Sequence, residues 1–402
     1  MFIFISFIVW RTIDILTSLI TPHLIPFLGF FPYKELLADY KLPVFLSSFA
    51  NFDGTQYLTL VREGYNTYTQ AYFPLYFLIV RAASVLFPML YSARLHNNLI
   101  ASLFVSNLSF LMGLFLFNKF LLLLFPKEKT SAKWIILFLL LFPTSFFFGA
   151  VYTEGLFFLL FIGSLLFLHK KNYWAASLFA ILASATRFVG IFLLIPFLFH
   201  FINLRTIGYW KLKKIKFDFK VYYITIISPL LGLGAYMIYL WRTVKDPLFF
   251  FNAQPVFGAN RSTHLILLPQ VYYRYFKILF TAQWNFQYFI SLIEVIFFTF
   301  ILIILCLDFY NIIRTYKTNR QSPIANRFFY LLSLNVFSFI NLVLPTFTGT
   351  FSSIPRYALM SISAFIFLGQ IKNKTTKVAF LGTFLILHII LLGFFIQGYF
   401  VG

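Results

Sequence analysis

The chain has 402 residues, of which 61% are hydrophobic and only 11% charged, whereas a soluble domain is about half apolar and a quarter charged. Runs of about 20 apolar residues, the length that crosses a bilayer, recur from end to end, so a soluble globular fold is excluded and an all-α polytopic membrane protein is predicted. The net charge of +21 does not signal a nucleic-acid partner, because the basic residues sit in short loops between apolar runs and form no stripe of the kind that tracks a phosphate backbone.

Taken in chain order, eleven spans are predicted at 2–21, 97–124, 134–149, 154–168, 173–187, 189–203, 222–242, 287–310, 328–345, 357–371 and 378–399, in a single transmembrane domain over 1–402. The pair 173–187 and 189–203 can also be read as one long tilted helix. Residues 1–20 carry no basic leader and no small-residue cleavage site, so they are read as a retained first span. Arg11 and Asp14 inside it are three residues apart, a spacing that lets them pair on a helix. Cys306, the single cysteine, lies in an apolar run and permits no intrachain disulfide.

With the N-terminus placed in the cytoplasm, the inner loops collect Lys127, Lys129, Lys133, Lys170, Lys171, Arg205, Lys211, Lys213, Lys214, Lys216 and Lys220. Arg314, Lys317, Arg320, Arg327, Lys372, Lys374 and Lys377 fall on the same side. The outer side carries fewer, although it owns the two longest loops, 22–96 and 244–286, and this bias follows the positive-inside rule. Within the first outer loop, 44–62 and 73–88 are apolar enough to rest on a membrane and too broken to cross it, so they are predicted to be interfacial helices. The second outer loop has Trp284 and several Tyr, as expected of an aromatic belt.

Only 11 acidic residues are present, so each can be weighed. Glu35, Asp39, Asp53 and Glu63 belong to the first outer loop and Asp246 to the second. Glu294 falls inside a span. Glu128, Asp218 and Asp308 lie on or near the basic side, where they are expected to offset Lys and Arg. Asp53 opens "DGTQ", a capping-box pattern that Gly64 would close as the helix end; a capping carboxylate can still present its second oxygen to a substrate. Glu154, in "VYTEG", suits the positive end of a helix dipole as well as a site. Arg187, in "SATRFVG", either snorkels to the interface or binds something. Arg356, in "SIPRYAL", follows Pro355 at a predicted helix start, where a cation is disfavoured and calls for an acidic neighbour or an anionic ligand. Arginine suits a phosphate, which it grips through two parallel hydrogen bonds.

In the eleven-span arrangement Asp53, Glu154, Arg187 and Arg356 all reach the outer face, where one site could take an anionic lipid head group. The six His are scattered without ligand spacing, so no metal site is expected, and no Walker, dinucleotide or Gly-x-Ser-x-Gly signature appears.

These polar residues lie in blocks that resemble the glycosylphosphatidylinositol mannosyltransferase II family and its prokaryotic relatives, within the GT-C membrane glycosyltransferases. The blocks are "FANFDGTQYLTLVREGY" (49–65), "AYFPLYFLIVR" (71–81), "LFPTSFFFGAVYTEGLFFLL" (141–160) with "ASATRFVGIFLLIP" (184–196), and "PRYALMSISAFIFLG" (355–369). The family usually has Trp-Asp-Gly where this chain has Phe52-Asp53-Gly54. The resemblance implies a GT-C bundle of about 11 spans, with Asp53 as the acid at the acceptor hydroxyl. It also implies a polyprenyl-phosphate mannose donor, or another hexose, and a lipid, glycan or protein acceptor. Glu154, Arg187, Arg356 and Tyr76 of the Phe73-Pro74-Leu75-Tyr76 box are the substrate-contact candidates. No cofactor is expected, and the location is a cell membrane or the endoplasmic reticulum membrane. A transporter or lipid-linked sugar flippase, or a non-catalytic partner subunit, are the rival readings.

Overall fold

The computed structural model describes residues 1–28, 33–86, 94–126, 128–206, 219–257, 262, 264–318 and 325–401. Lys127, Lys211, Lys213, Lys214, Lys216, Asp218 and Arg320 lie outside them, as does the end of the predicted 73–88 segment. Among the described residues there is no strand. The protein is an all-α, multi-pass integral membrane protein. Among the described residues six helices are long and apolar enough to cross a bilayer, namely Phe2–His23, Asn97–Leu124, Lys220–Val244, Phe286–Thr318, Arg327–Thr348 and Lys374–Ile396.

The helices that matter for the site are α1 (Phe2–Ile20), α2 (Asp53–Glu63), α3 (Pro74–Ser84), α4 (Arg94–Leu124), α5 (Lys129–Leu140), α6 (Glu154–His169), α7 (Tyr173–Thr186), α8 (Leu194–Thr206), α9 (Phe219–Val244), α10 (Leu268–Thr281), α11 (Phe286–Thr318), α12 (Ala325–Val343), α13 (Ile362–Gln370) and α14 (Lys374–Ile396). α6 packs between α4 and α7, α7 leans on α9, α5 on α13, α8 and α11 on α12, and α1 on α14. Tightly layered rings fill the gaps, as where Phe110 stacks on Phe148 at 4.2 Å.

Of the other five predicted spans, 154–168 and 173–187 form helices at nearly their predicted bounds but shorter than a bilayer crossing, and the remaining three are broken for local reasons. The run 134–149 stops being helical at Leu140, because the residue before Pro143 is pushed away from the α region; a 3-10 turn, Ser145–Phe148, follows. The run 357–371 contains a 3-10 turn and then only the nine residues of α13. The stretch 173–203 is not one helix. It breaks at Arg187, whose backbone is extended (φ −150°, ψ 143°), and passes through the 3-10 segment Phe188–Leu193 before α8. At 16 residues α6 is about 24 Å long, short of the ~30 Å hydrocarbon core.

The bundle has two chemically different ends. At one, Lys133 lies over the Phe2 ring, Lys377 over Trp134, and Arg327 over Phe125; α6 ends there at His169, against Tyr330. At the other, α1 runs out beside the end of α14, where Thr21 abuts Gly393 and Asn51 binds the carbonyls of Phe395 and Ile396. Helix α6 begins at that second end and α7 finishes there, so Glu154 and Arg187 share it with Asp53.

Candidate functional site: a ladder of four charges

The turn that carries Asp53 is held before the carboxylate is placed. Asn51 accepts from the Tyr152 hydroxyl at 2.9 Å through its carbonyl and donates to Phe395 O at 2.9 Å through its amide. Gly54 N–H closes the turn on Asn51 O at 3.2 Å. Phe52 therefore sits at φ 59°, ψ −119°, a geometry that normally asks for glycine and costs a larger residue roughly 1–3 kcal/mol. Its ring is held between Phe395 and Phe400, which fixes the strained residue. Gly54 then allows α2 to start against Val151, since a Cβ there would lie 3.3 Å from Ala50 Cβ and 3.4 Å from Val151 O.

Asp53 is the first residue of α2, and Phe52 is the cap position, with no side-chain capping bond. The capping-box expectation is thus corrected, because the carboxylate turns away from the helix end. Oδ1 accepts from the Tyr72 hydroxyl at 3.0 Å and Oδ2 from Arg356 Nη1 at 2.6 Å. Gly64 does end the helix, at φ 87°.

Arg356 arrives from 303 residues away, in the short helical turn Ile354–Tyr357 with Pro355 in its first turn. The loop before it is clamped. Tyr275 donates to Glu294 at 2.6 Å and accepts from Phe351 N–H at 3.0 Å, while Arg274 donates to Gly349 O at 3.1 Å. Glu294, placed within a span by its sequence, is in α11 and serves this clamp. Thr144 donates to Pro355 O at 2.6 Å from the other side. The guanidinium also stands 3.6 Å from Glu154 through its Nε, and Glu154 is in turn bonded to Arg187. Arg187 reaches Thr153 Oγ1 at 3.4 Å as well.

The result is a row of alternating charges, Asp53, Arg356, Glu154 and Arg187. Glu154 is sealed at 2% exposure, Arg356 and Arg187 are nearly so, and Asp53 at 29% is the open end. Both arginines are walled by rings: Arg356 lies 5.3 Å from the Tyr152 centroid, and Arg187 lies 5.6 Å from that of Tyr357. Burial works against the Arg356 charge, but the Asp53 and Glu154 carboxylates outweigh it and hold the guanidinium pKa above its ordinary value. Burial first, and then the Asp53 charge, push the Tyr72 phenol well above its ordinary range, so it remains a proton donor to Asp53. Two buried atoms in the row lack hydrogen-bond partners, Glu154 Oε2 and Arg356 Nε. Polar atoms so placed cost about 1–3 kcal/mol each.

Thus four of the five sequence candidates bear on one site. Tyr76 does not enter it. Its hydroxyl is fully buried against Ser106 Oγ at 2.8 Å, and its ring packs behind Tyr57. Sequence reasoning missed Tyr72 and Asn51, both of which stand within the quoted or adjoining blocks as ordinary loop residues. Snorkelling does not describe Arg187, which is paired. Asp308 is not offset by a cation among the described residues; it is buried in α11 and accepts from Asn335 and Ser363. A scan against models of known protein families finds no match to this chain, and a search of curated proteins finds no relative of significant similarity.

Proposed function

We propose that the protein is a GT-C-type membrane glycosyltransferase that moves a hexose, mannose by resemblance, from a polyprenyl-phosphate donor to a lipid, glycan or protein acceptor. The observation that carries this reading is the meeting of Asp53 and Arg356 at 2.6 Å on the open end of the charge row. A carboxylate and a guanidinium side by side supply the two services this transfer needs.

The acceptor hydroxyl oxygen attacks the anomeric carbon, the bond from that carbon to the donor phosphate oxygen breaks, and the anomeric centre inverts. The hydroxyl proton goes to Asp53, and the bonding pair leaves on the phosphate monoester. Arg356 binds the phosphate and steadies its growing charge. A phosphate leaves without being protonated, so one base is enough, unlike the two carboxylates that hydrolyse a glycoside. Arg356 engages Asp53 Oδ2 at 2.6 Å. The donor phosphate therefore has to draw the guanidinium away, and that exchange leaves Asp53 as a base only when the donor is seated. Glu154, itself held by Arg187, stays at the guanidinium's Nε edge during the change.

A transporter is the second reading, because Asp14, His388 and Asp308 are ionisable groups buried in candidate spans, and such groups mark pathways in transporters. One experiment separates the two. Protein in lipid vesicles receives radiolabelled polyprenyl-phosphate mannose and a membrane extract as acceptor pool, with wild type and Asp53→Asn side by side. Label entering a product with wild type and failing to enter it with folded Asp53→Asn supports the transferase. Label crossing the bilayer unchanged supports the transporter.

A further inference from the structure

Asp14 and His388 are 374 residues apart in sequence, yet His388 Nε2 lies 2.7 Å from Asp14 Oδ1, and both side chains are fully buried. Helix α1 brings the acid and α14 the imidazole. The candidate site above uses neither. What matters is where the protons must be.

Ser145 settles one of them. Its hydroxyl has a single hydrogen, which it donates to the carbonyl of Leu140 in a short contact. Leu140 O has no hydrogen to give, so the Ser145 proton lies there. Trp10 Nε1, a donor only, gives its hydrogen to Ser145 Oγ at 3.1 Å. His388 Nδ1 faces the same oxygen at 3.2 Å and the carbonyl of Phe142 at 3.3 Å. Both atoms can only accept here, so Nδ1 carries a hydrogen. The tautomer follows from its partners.

The other ring nitrogen then decides the count. With Nδ1 protonated, Nε2 is either bare or part of an imidazolium. Bare, it would oppose an ionised carboxylate oxygen at 2.7 Å with no hydrogen between them. The bond therefore holds one proton, on the imidazole or on the carboxyl. Arg11 Nη1, 3.1 Å from Asp14 Oδ2, is the one other charged group in contact with the pair among the described residues. Lys133 and Lys377 stand on packed helices at the far end; Lys377 is eleven residues, about 16 Å, along α14 from His388. The unit keeps one net positive charge, which is costly inside a membrane. The Phe142 carbonyl at the ring and the Phe49 face, 4.2 Å from Arg11, offset part of it.

The neighbours of this proton explain its use. Ser145 is adjacent to Thr144, and Thr144 donates to the carbonyl of Pro355, next to Arg356. One side of this short turn is pinned by the loaded Asp14–His388 pair and the other holds the backbone of the site arginine. We propose that Asp14 and His388 form a buried proton-binding site, loaded with one shared proton, that positions the 142–148 turn under Arg356.

The test is histidine nitrogen NMR on the full chain in lipid nanodiscs, with the carboxylic-acid stretch followed by infrared spectroscopy. The His388 signals are identified by their loss in His388→Gln. If that variant fails to fold, their shift in Asp14→Asn identifies them, since the asparagine amide can donate to a bare Nε2. Two results support the proposal: an imidazolium, or a neutral ring protonated on Nδ1 together with an acid stretch that vanishes in Asp14→Asn. A neutral ring beside an ionised Asp14 overturns it. For the coupling, hydrogen exchange at the backbone amides of residues 144–148 should quicken in His388→Gln, or in Asp14→Leu if that variant fails to fold. Unchanged exchange there in a folded variant would refute the link. None of these readouts depends on glycosyl transfer.

Discussion

Asp53 has two engaged oxygens and a place in the open part of the charge row, and those facts set what its substitution does. Asp53→Asn keeps an acceptor for Tyr72 but removes the charge that holds Arg356. On the transferase reading, turnover should drop by about 10²–10⁴-fold, the usual worth of a general base. Binding of the leaving product, polyprenyl phosphate, should tighten, because its phosphate no longer competes with a carboxylate for the guanidinium. A vesicle binding assay with the lipid phosphate checks this, and weaker binding by Asp53→Asn would disprove the competition. Arg187 makes a different prediction. Arg187→Met leaves Glu154 sealed with Arg356 at 3.6 Å as its one remaining cation among the described residues, so the loss should stay below the about 3–5 kcal/mol of a buried charge left without a partner. Adding Glu154→Gln should restore much of the loss, which paired thermal melts of the single and double variants can show. The residues of this row were legible because acids are so scarce in the chain that each stood out, and because a cation after Pro355 demanded a negative neighbour. Tyr72 and Asn51 were not legible, since a tyrosine among 24 and a loop asparagine carry no local sign of the distant groups they bind.

Among the elements, α6 shows how close packing sets the site. Gly155 follows Glu154, and a Cβ there would stand 2.5 Å from Phe148 O and 2.6 Å from Ser106 O. Both are backbone atoms that cannot turn aside. Gly155→Ala should therefore push α6 from α4, lowering stability by about 1–3 kcal/mol as overpacking does and moving Glu154 out of register with Arg356. Gly382 in α14 has open space around its Cβ position, so Gly382→Ala should be neutral or stabilising by up to about 1 kcal/mol from helix propensity. Comparing the two melting temperatures tests whether space or helicity governs. The long helices were readable from hydropathy, but the short ones at the site were not. Pro143 ends one run and an extended Arg187 breaks another, and at the first break the Phe142 carbonyl is met by a distant residue, His388. Burial also keeps the ring of tyrosines around Asp53 neutral, with Tyr57, Tyr72 and Tyr152 all pushed above their ordinary values by burial and then by the Asp53 charge. In the unfolded chain they ionise near about pH 10. Their contribution is complete below that pH and is lost as pH rises towards the folded values, so melting temperatures should begin to fall above about pH 10.

Over the whole molecule, the separation of the two bundle ends makes the topology testable without reference to any reaction. The site end holds Asp53, Glu154, Arg187 and Arg356. The opposite end holds Lys133, Arg327 and Lys377, and α14 with its 23 residues separates the two by about 34 Å. Basic residues stay on the cytoplasmic side of a membrane protein, so the site end should face outward, as a donor presented at the outer leaflet would need. The single thiol, Cys306, is exposed and can be removed as Cys306→Ser. Single cysteines placed by Asn66→Cys and Asn373→Cys then report the two ends. A membrane-impermeant maleimide applied to intact cells or sealed right-side-out vesicles should label the first and spare the second until the membrane is opened. Labelling of Asn373→Cys alone would invert the orientation and put the charge row on the cytoplasmic side, where soluble nucleotide-linked donors rather than outer-leaflet lipid-linked sugars are available. Labelling of both from outside would mean that the bundle does not separate the two ends across the bilayer, and the charge asymmetry would then need another cause.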